Sequence, residues 1–100
     1  MPVSVEETDN DSVVIHVSGR FDYSIHSQFL SAYESFPKGE ECFIVDLKDA
    51  EYMDSSAMGM LLQLREHSDK AAGGVTIRNS SEAIKDVLRI ANFHRLFTIV

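Results

Sequence analysis

The chain has 100 residues, a length that accommodates one hydrophobic core and therefore one domain. With 44% hydrophobic and 25% charged residues, 2 Pro and 5 Gly, it is an ordinary globular sequence and not a disordered or collagen-like one. The net charge of -7 disfavours sequence-independent binding to the phosphate backbone of nucleic acids, so we expect no nucleic acid among the partners. Residues 1–54 hold 12 acidic and 3 basic side chains and residues 55–100 hold 4 and 6, which predicts one distinctly acidic side of the fold.

The chain contains one cysteine, Cys42, which excludes an intramolecular disulfide and is typical of a cytoplasmic protein. We expect Cys42 to be a small buried side chain in or beside a strand. No apolar run approaches the roughly 20 residues of a membrane-spanning helix, and the first ten residues lack the basic and apolar segments of a signal peptide. We therefore expect a cytoplasmic protein without direct membrane insertion.

The first third of the chain predicts a β-hairpin followed by a helix. Residues 2–7 alternate weakly, and Ser12–Ser18 is rich in β-branched residues, which indicates a strand that Gly19 ends. From Ser24 the apolar period changes to that of a helix, and Pro37-Lys38-Gly39 stops the run. The apolar side chains on that helical face are Ile25, Phe29, Ala32, Tyr33 and Phe36.

The middle of the chain predicts the central strand and the second helix. Cys42–Leu47 is a short, nearly continuous apolar run, the pattern of a strand at the centre of a sheet. Lys48–Glu51 is interpreted as a polar turn, and a helix is predicted from Asp54 to about Asp69. On a helical wheel the apolar residues of this helix cover an arc of roughly 200°, whereas packing on one sheet needs about 100° or a little more. Part of this surface, represented by Met58, Met60 and Leu62, is predicted to be exposed.

The last third of the chain predicts a strand, a helix and an edge strand. Gly73-Gly74 is predicted to turn the chain into the strand Val75–Arg78. Asn79-Ser80-Ser81-Glu82 has the form of a capping box that opens the third helix, and Phe93–Val100 ends in a β-prone run. The predicted order is ββαβαβαβ, an α/β domain over residues 1–100 with a mixed sheet of four to five strands and about three to four helices.

The segment with most functional information is Asp54-Ser55-Ser56, which lies between the central strand and the second helix. From the local sequence alone, Asp54 is a plain helix N-cap and the serines fill the first turn. A hydroxyl at this position is also presented at the surface, and the free N–H groups of a helix N-terminus accommodate anionic groups. Both interpretations are compatible, because a capping Asp can hold the loop that presents a serine.

Three motifs resemble the STAS domain, and specifically the bacterial anti-sigma factor antagonists. The family has an apolar strand ending in Asp-Leu, then Asp-Ser-Ser/Thr-Gly-Leu-Gly before a helix, and a Gly-x-x-Asp after its second strand. The matching segments are Asp46-Leu47, Met53-Asp54-Ser55-Ser56, Met58-Gly59-Met60-Leu61-Leu62 and Gly19-Arg20-Phe21-Asp22, and the segment Leu88 to Ile99 resembles the family's close. The chain departs from the family at Ala57, where a glycine is usual, a change that is expected to alter how closely a partner backbone approaches.

The resemblance implies a binding protein without enzymatic activity or cofactor, controlled by phosphorylation. Ser55 is the implied phosphoryl acceptor, with Ser56 as the second choice. Asp22, Asp46 and Gly59 are motif residues, and the implied partner-binding residues are Asp54, Ser55, Ser56, Met58, Met60 and Leu62. The implied partners are an anti-sigma factor or a serine/threonine kinase of the histidine-kinase-like ATPase type, or a response regulator with kinase and phosphatase activity, and a PP2C-type phosphatase.

Two other binding functions are compatible with the sequence. A constitutive STAS subunit, such as the one of a phospholipid-transporting ABC system, would use the same helix face without phosphorylation, and a small-ligand sensor is a third, weaker option. The histidines are too scattered for a metal site, and Ser55 lacks both a Gly-x-Ser-x-Gly elbow and a nearby histidine base. The four histidines are His16, His26, His67 and His94.

Overall fold

A computed structural model describes residues 2–8, 12–37, 42–68 and 74–100 of the chain. Its element order reproduces the predicted ββαβαβαβ pattern, with two additional short 3-10 turns at Tyr23–Ile25 and Phe93–Arg95. The strands are β1 (Val3–Glu7), β2 (Ser12–Phe21), β3 (Cys42–Met53), β4 (Val75–Arg78) and β5 (Thr98–Ile99), and the helices are α1 (His26–Glu34), α2 (Ser55–Ser68) and α3 (Glu82–Ile90). Parts of the predicted turns, at residues 9–11, 38–39 and 73, and the predicted helix end at residue 69 lie outside the described residues.

The five strands form one mixed sheet in the order β1-β2-β3-β4-β5. β1 and β2 form the predicted antiparallel hairpin, and every later neighbour pair is parallel. β3 lies at the centre and β5 at an edge, as predicted from the apolar run at Cys42–Leu47 and from the β-prone tail. The predicted α/β domain with a mixed sheet is therefore confirmed.

All three helices pack on the same face of the sheet. The parallel strands follow each other sequentially, and right-handed crossovers in one direction place every connecting helix on the same side. Phe29 of α1, Leu61 of α2 and Leu88 of α3 accordingly share one hydrophobic core with Ile15 and Val45 of the central strands. Within the part of the chain that the structure describes, no helix has both the length and the apolar character needed to cross a membrane.

Two strands are longer than predicted. β2 does not end at Gly19 but continues to Phe21, because Gly19 adopts a φ of 73° within the strand and the register to β3 shifts beside it. The predicted turn Lys48–Glu51 is also wrong, since β3 runs through it to Met53. The pairing of β2 with β3 shifts twice over this stretch, so that irregularities of the β-bulge type absorb the extra residues and interrupt the alternation of buried and exposed side chains.

The third helix begins later than the predicted capping box. Its N-cap is Ser81, whose hydroxyl accepts a hydrogen bond from the N–H of Ile84 at 3.3 Å. Asn79 instead has a φ of 61° and donates its side-chain N–H to Asp46 at 3.2 Å. The prediction of Asn79 as the cap is wrong because this side chain has a tertiary partner that local sequence does not reveal.

Candidate functional site

The candidate site lies where the two neighbouring strands β2 and β3 end together. Phe21 and Met53 are register partners at the ends of these parallel strands. Each is followed by an aspartate, Asp22 after β2 and Asp54 after β3. The Gly-x-x-Asp motif and the Asp-Ser-Ser segment are therefore brought together at one edge of the sheet, although they are 32 residues apart in the sequence.

Asp54 caps the N-terminus of α2. Its Oδ1 accepts hydrogen bonds from the backbone N–H of Ser56 at 3.0 Å and of Ala57 at 3.2 Å, and from the Ser56 hydroxyl at 2.5 Å. These bonds satisfy N–H groups that have no partner within the helix, which explains why α2 begins at Ser55. The Ser56 hydroxyl and the two N–H groups hold the pKa of Asp54 below its ordinary value, against the opposing effects of partial burial and of nearby Asp22.

The two serines after Asp54 have different environments. Ser56 is half-buried, and its hydroxyl is donated to the Asp54 carboxylate. Ser55 is exposed at the first position of the helix, and its hydroxyl makes no hydrogen bond to another residue in the described part of the chain. Only the Ser55 hydroxyl is thus free for an external reactant without first breaking a contact within the domain.

Asp22 repeats the capping geometry of Asp54 one strand away. It accepts hydrogen bonds from the backbone N–H of Ser24 at 2.9 Å, from the Ser24 hydroxyl at 2.5 Å and from Nε of Arg20 at 3.2 Å. The Ser24 bonds and Arg20 lower the pKa of Asp22 although partial burial raises it. The Arg20 guanidinium also lies 3.9 Å from the centre of the Tyr52 ring, so that a cation and an aromatic ring border the site. The proximity of Arg20 and Tyr52 could not be predicted from the sequence, because it depends on the shifted register of β2 and β3.

Asp46, the third motif aspartate, lies within β3 and away from this edge. The residue is 5% exposed, and its side chain accepts hydrogen bonds from the Lys48 N–H at 2.9 Å, Arg78 Nε at 3.0 Å and Asn79 Nδ2 at 3.2 Å. His16 Nδ1 lies 3.7 Å from the same carboxylate. Burial raises the pKa of Asp46, but the three hydrogen bonds outweigh it and leave that pKa below its ordinary value. In this structure Asp46 joins β3 to β4 through its hydrogen bonds to Arg78 and Asn79.

The apolar residues that were predicted to form the partner-binding surface do not all lie at the surface. Leu62 is 41% exposed and Met58 is half-buried against the core, whereas Met60 is only 3% exposed and belongs to the core. The expectation that Met60 contributes to an exposed surface is therefore wrong. The physical reason is that the buried residues of α2 span only about 100° of the helical wheel, and Met60 lies within that stripe, whereas Met58 and Leu62 lie outside it.

The two small residues of the motif have opposite environments. Ala57 is completely buried, so a partner backbone cannot approach it. Its position therefore does not support the expectation that alanine in place of the usual glycine alters how closely a partner approaches. Gly59 is exposed on α2, and a Cβ added there would have no atom within 4 Å in the described structure. Packing within the domain therefore does not require a glycine at this position.

The fold and the site define a two-layer α/β domain in which an Asp-capped serine pair follows the central strand. The sequence matches the STAS domain family over residues 2–100, and the chain belongs to this family. A STAS-domain containing protein of Pseudomonas aeruginosa (strain UCBPP-PA14) is 38% identical over 96 residues, which cover 96% of this chain and 95% of that protein. The predicted family membership is thereby confirmed.

Solved structures share the fold at low sequence identity. A candidate anti-sigma factor antagonist from Thermotoga maritima superposes with a TM-score of 0.83 and 19% identity, over 97% of this chain and 84% of that one. The Bacillus cell fate determinant SpoIIAA in its phosphorylated form gives a TM-score of 0.66 and 20% identity, over 98% and 90%. At these identities the similarity establishes the fold.

Proposed function

We propose that this protein is an anti-sigma factor antagonist that acts by partner switching. In its unphosphorylated form it binds an anti-sigma factor with serine kinase activity, or a response-regulator partner, and phosphorylation of Ser55 releases that partner. The names of the structural neighbours support the class, and SpoIIAA, which shares the fold, is known in a phosphorylated form. The protein acts in this proposal by binding and carries no catalytic group of its own.

The difference between the two serine hydroxyls carries this proposal. Ser55 is exposed and its hydroxyl has no partner in the described part of the chain, whereas the Ser56 hydroxyl is held by Asp54. A kinase active site must surround the acceptor oxygen, which favours Ser55. Asp54 thus has two compatible roles, because the same carboxylate caps the helix and occupies the competing hydroxyl.

A phosphate on Ser55 affects the free domain and a protein interface differently. In the free domain the group stays in water at a helix N-terminus, where the helix dipole offsets part of the repulsion from Asp54 and Asp22. In an interface the added charge of about -1.5 to -2 loses its hydration without gaining a partner. A loss of about 3 to 5 kcal/mol at such a contact weakens binding by about two to nearly four decades.

The exposed face of α2 supplies the remainder of the proposed contact surface. Ser55 and Leu62 are seven residues apart, which places them on the same helix face at a distance of about 10 Å. Half-buried Met58 lies between them, and exposed Gly59 leaves room there for a partner backbone. Methionine adapts its shape to different partner surfaces, which suits this position.

The phosphorylation step is tested by mass spectrometry. The protein is incubated with ATP and lysate of its own organism, and peptide mapping then locates any added phosphate. We expect one phosphate on Ser55, present in Ser56→Ala and absent in Ser55→Ala. If an active control substrate is phosphorylated and this protein is not, the constitutive transporter subunit becomes the better explanation.

The release step is tested with a charge at Ser55. Ser55→Asp should weaken capture of the purified partner by tenfold or more, while Ser55→Ala should bind constitutively. Ser31→Asp is the matched control, because it adds the same charge at an exposed serine of α1. Equal affinity of the wild type and Ser55→Asp, or loss of the partner in Ser55→Ala, would contradict the switch.

A further inference from the structure

An open cleft of about 730 Å³ lies between the C-terminal half of α2 and the segment that leads into β5. Val75 and Phe97 are buried at its base, and the exposed side chains of Leu62 and Leu96 stand at its walls, each 41% exposed. Nε of Arg65 donates a hydrogen bond to the carbonyl oxygen of Leu96 at 3.0 Å. This bond ties α2 to the opposite wall and fixes the spacing between them.

The charge of the cleft differs from that of the whole protein. Its lining includes two arginines, Arg65 and Arg95, and one acidic residue, Glu66, although the chain as a whole has a net charge of -7. Arg65 uses one of its five N–H donors in the bond to Leu96, and Arg95 forms no ion pair with any residue that the structure describes. The cleft therefore combines two exposed leucines with two guanidinium groups that form no ion pair among the described residues.

The cleft is continuous with the proposed contact surface. Leu62 belongs to both, since it lies on the same face of α2 as Ser55 and also lines the cleft. Arg65 follows one helical turn later on the same face. A partner that covers Ser55 and extends along α2 by about 15 Å would reach the cleft.

We infer that this cleft binds an acidic amphipathic segment of the partner. This inference rests on the proposed function and extends the contact surface on α2. Leucine-type side chains of the segment would contact Leu62 and Leu96, and its carboxylates would pair with Arg65 and Arg95. A protein segment is favoured over an enclosed small molecule because the walls are open.

The binding chemistry is tested without the partner. The probe is a capped peptide of three Glu-Leu-Leu-Glu units, titrated into the isotope-labelled full chain and followed by amide NMR signals. The signals of Leu62, Arg65 and Leu96 should shift saturably, and the shifts should weaken as salt is added. Shifts confined to other parts of the protein, or equal shifts with a Lys-Leu-Leu-Lys peptide, would overturn the inference. Shifts of the same signals on concentrating the protein alone would identify a second copy of the chain as the occupant, which also overturns it.

A pair of charge reversals localises the contact. Arg95→Glu should weaken peptide binding by tenfold or more, and Leu62→Ala should weaken it as well. Arg89→Glu is the matched control, because Arg89 is an exposed arginine of α3 outside the cleft, where it bonds to Asp86. Equal effects of Arg95→Glu and Arg89→Glu would show that only overall charge matters and would overturn the site.

The same variants separate this inference from the proposed function. The peptide titration needs neither kinase nor partner, so its failure leaves phosphorylation of Ser55 and release by Ser55→Asp intact. If the captured partner binds Arg95→Glu as tightly as Arg89→Glu, the cleft inference fails while the switch stands. A failed switch with specific peptide binding would leave the cleft as a docking site of a constitutive complex.

Discussion

Truncation of two neighbouring side chains of α2 should separate its stability from its binding. Met60 is 3% exposed, so Met60→Ala removes a buried side chain and leaves a cavity, with an expected cost of about 2 to 5 kcal/mol. At about 3 kcal/mol the midpoint of thermal unfolding would fall by about 12 to 24 °C for a domain of this size. Leu62 is 41% exposed and can be truncated without enclosing a cavity, so we expect about 1 kcal/mol for Leu62→Ala.

The binding effects should have the opposite order. Urea unfolding gives the free energy of each variant, and partner affinity is then measured at a temperature where all variants are folded. Leu62→Ala should lose affinity while Met60→Ala retains it. A Met60→Ala variant within about 0.5 kcal/mol of the wild type, together with a loss above about 2 kcal/mol for Leu62→Ala, would show that the faces of α2 are assigned incorrectly.

Two further substitutions test motif residues. Asp46→Ala leaves Arg78 and the Lys48 N–H without their buried partner, and we expect a loss of about 2 to 4 kcal/mol in urea unfolding. Folding lowers the pKa of Asp46 below its ordinary value of 3.8. The stabilisation is therefore complete above that pH and is lost as the pH falls through the folded-state pKa. The difference in unfolding free energy between wild type and variant should shrink accordingly in acid. Gly59→Ala should stabilise the domain by about 0.5 to 1 kcal/mol, because the added Cβ meets no atom within 4 Å in the described structure. If the partner backbone approaches Gly59, the same variant should bind less tightly, whereas unchanged affinity would exclude a contact there.

The order of the elements could be predicted because hydrophobic periodicity reports burial directly. Cys42–Leu47 was identified as the central strand from its continuous apolar run, and the strand Val75–Arg78 has the predicted bounds. The position of Asp54 before α2 could also be predicted, since Asp followed by Ser-Ser is a strong local signal for a helix start. These features depend on interactions between residues that are close in the sequence.

The errors have a common physical cause, which is contact between distant segments. Lys48–Glu51 resembles a turn by composition, yet pairing with the end of β2 keeps it in the sheet. Asn79 resembles a cap, yet Asp46 engages its side chain from 33 residues away. In each case local preference was overridden by a tertiary partner.

The length of β3 separates the charge of the candidate site from the ion pairs within the sheet. The register partners of Asp46 and Met53 are His16 and Phe21, and five residues of β2 span about 17 Å between them. That distance is about twice the Debye length at physiological salt, and the Asp46–Arg78 pair has no net charge, so a surface charge at the far end acts on it only weakly. A charge acquired at Ser55 would therefore leave the Asp46 network almost unperturbed. In the proposed switch, phosphorylation would thus change the surface potential at one end of β3 while the electrostatics that join β3 to β4 stay constant, so that binding could be controlled without a change in fold stability.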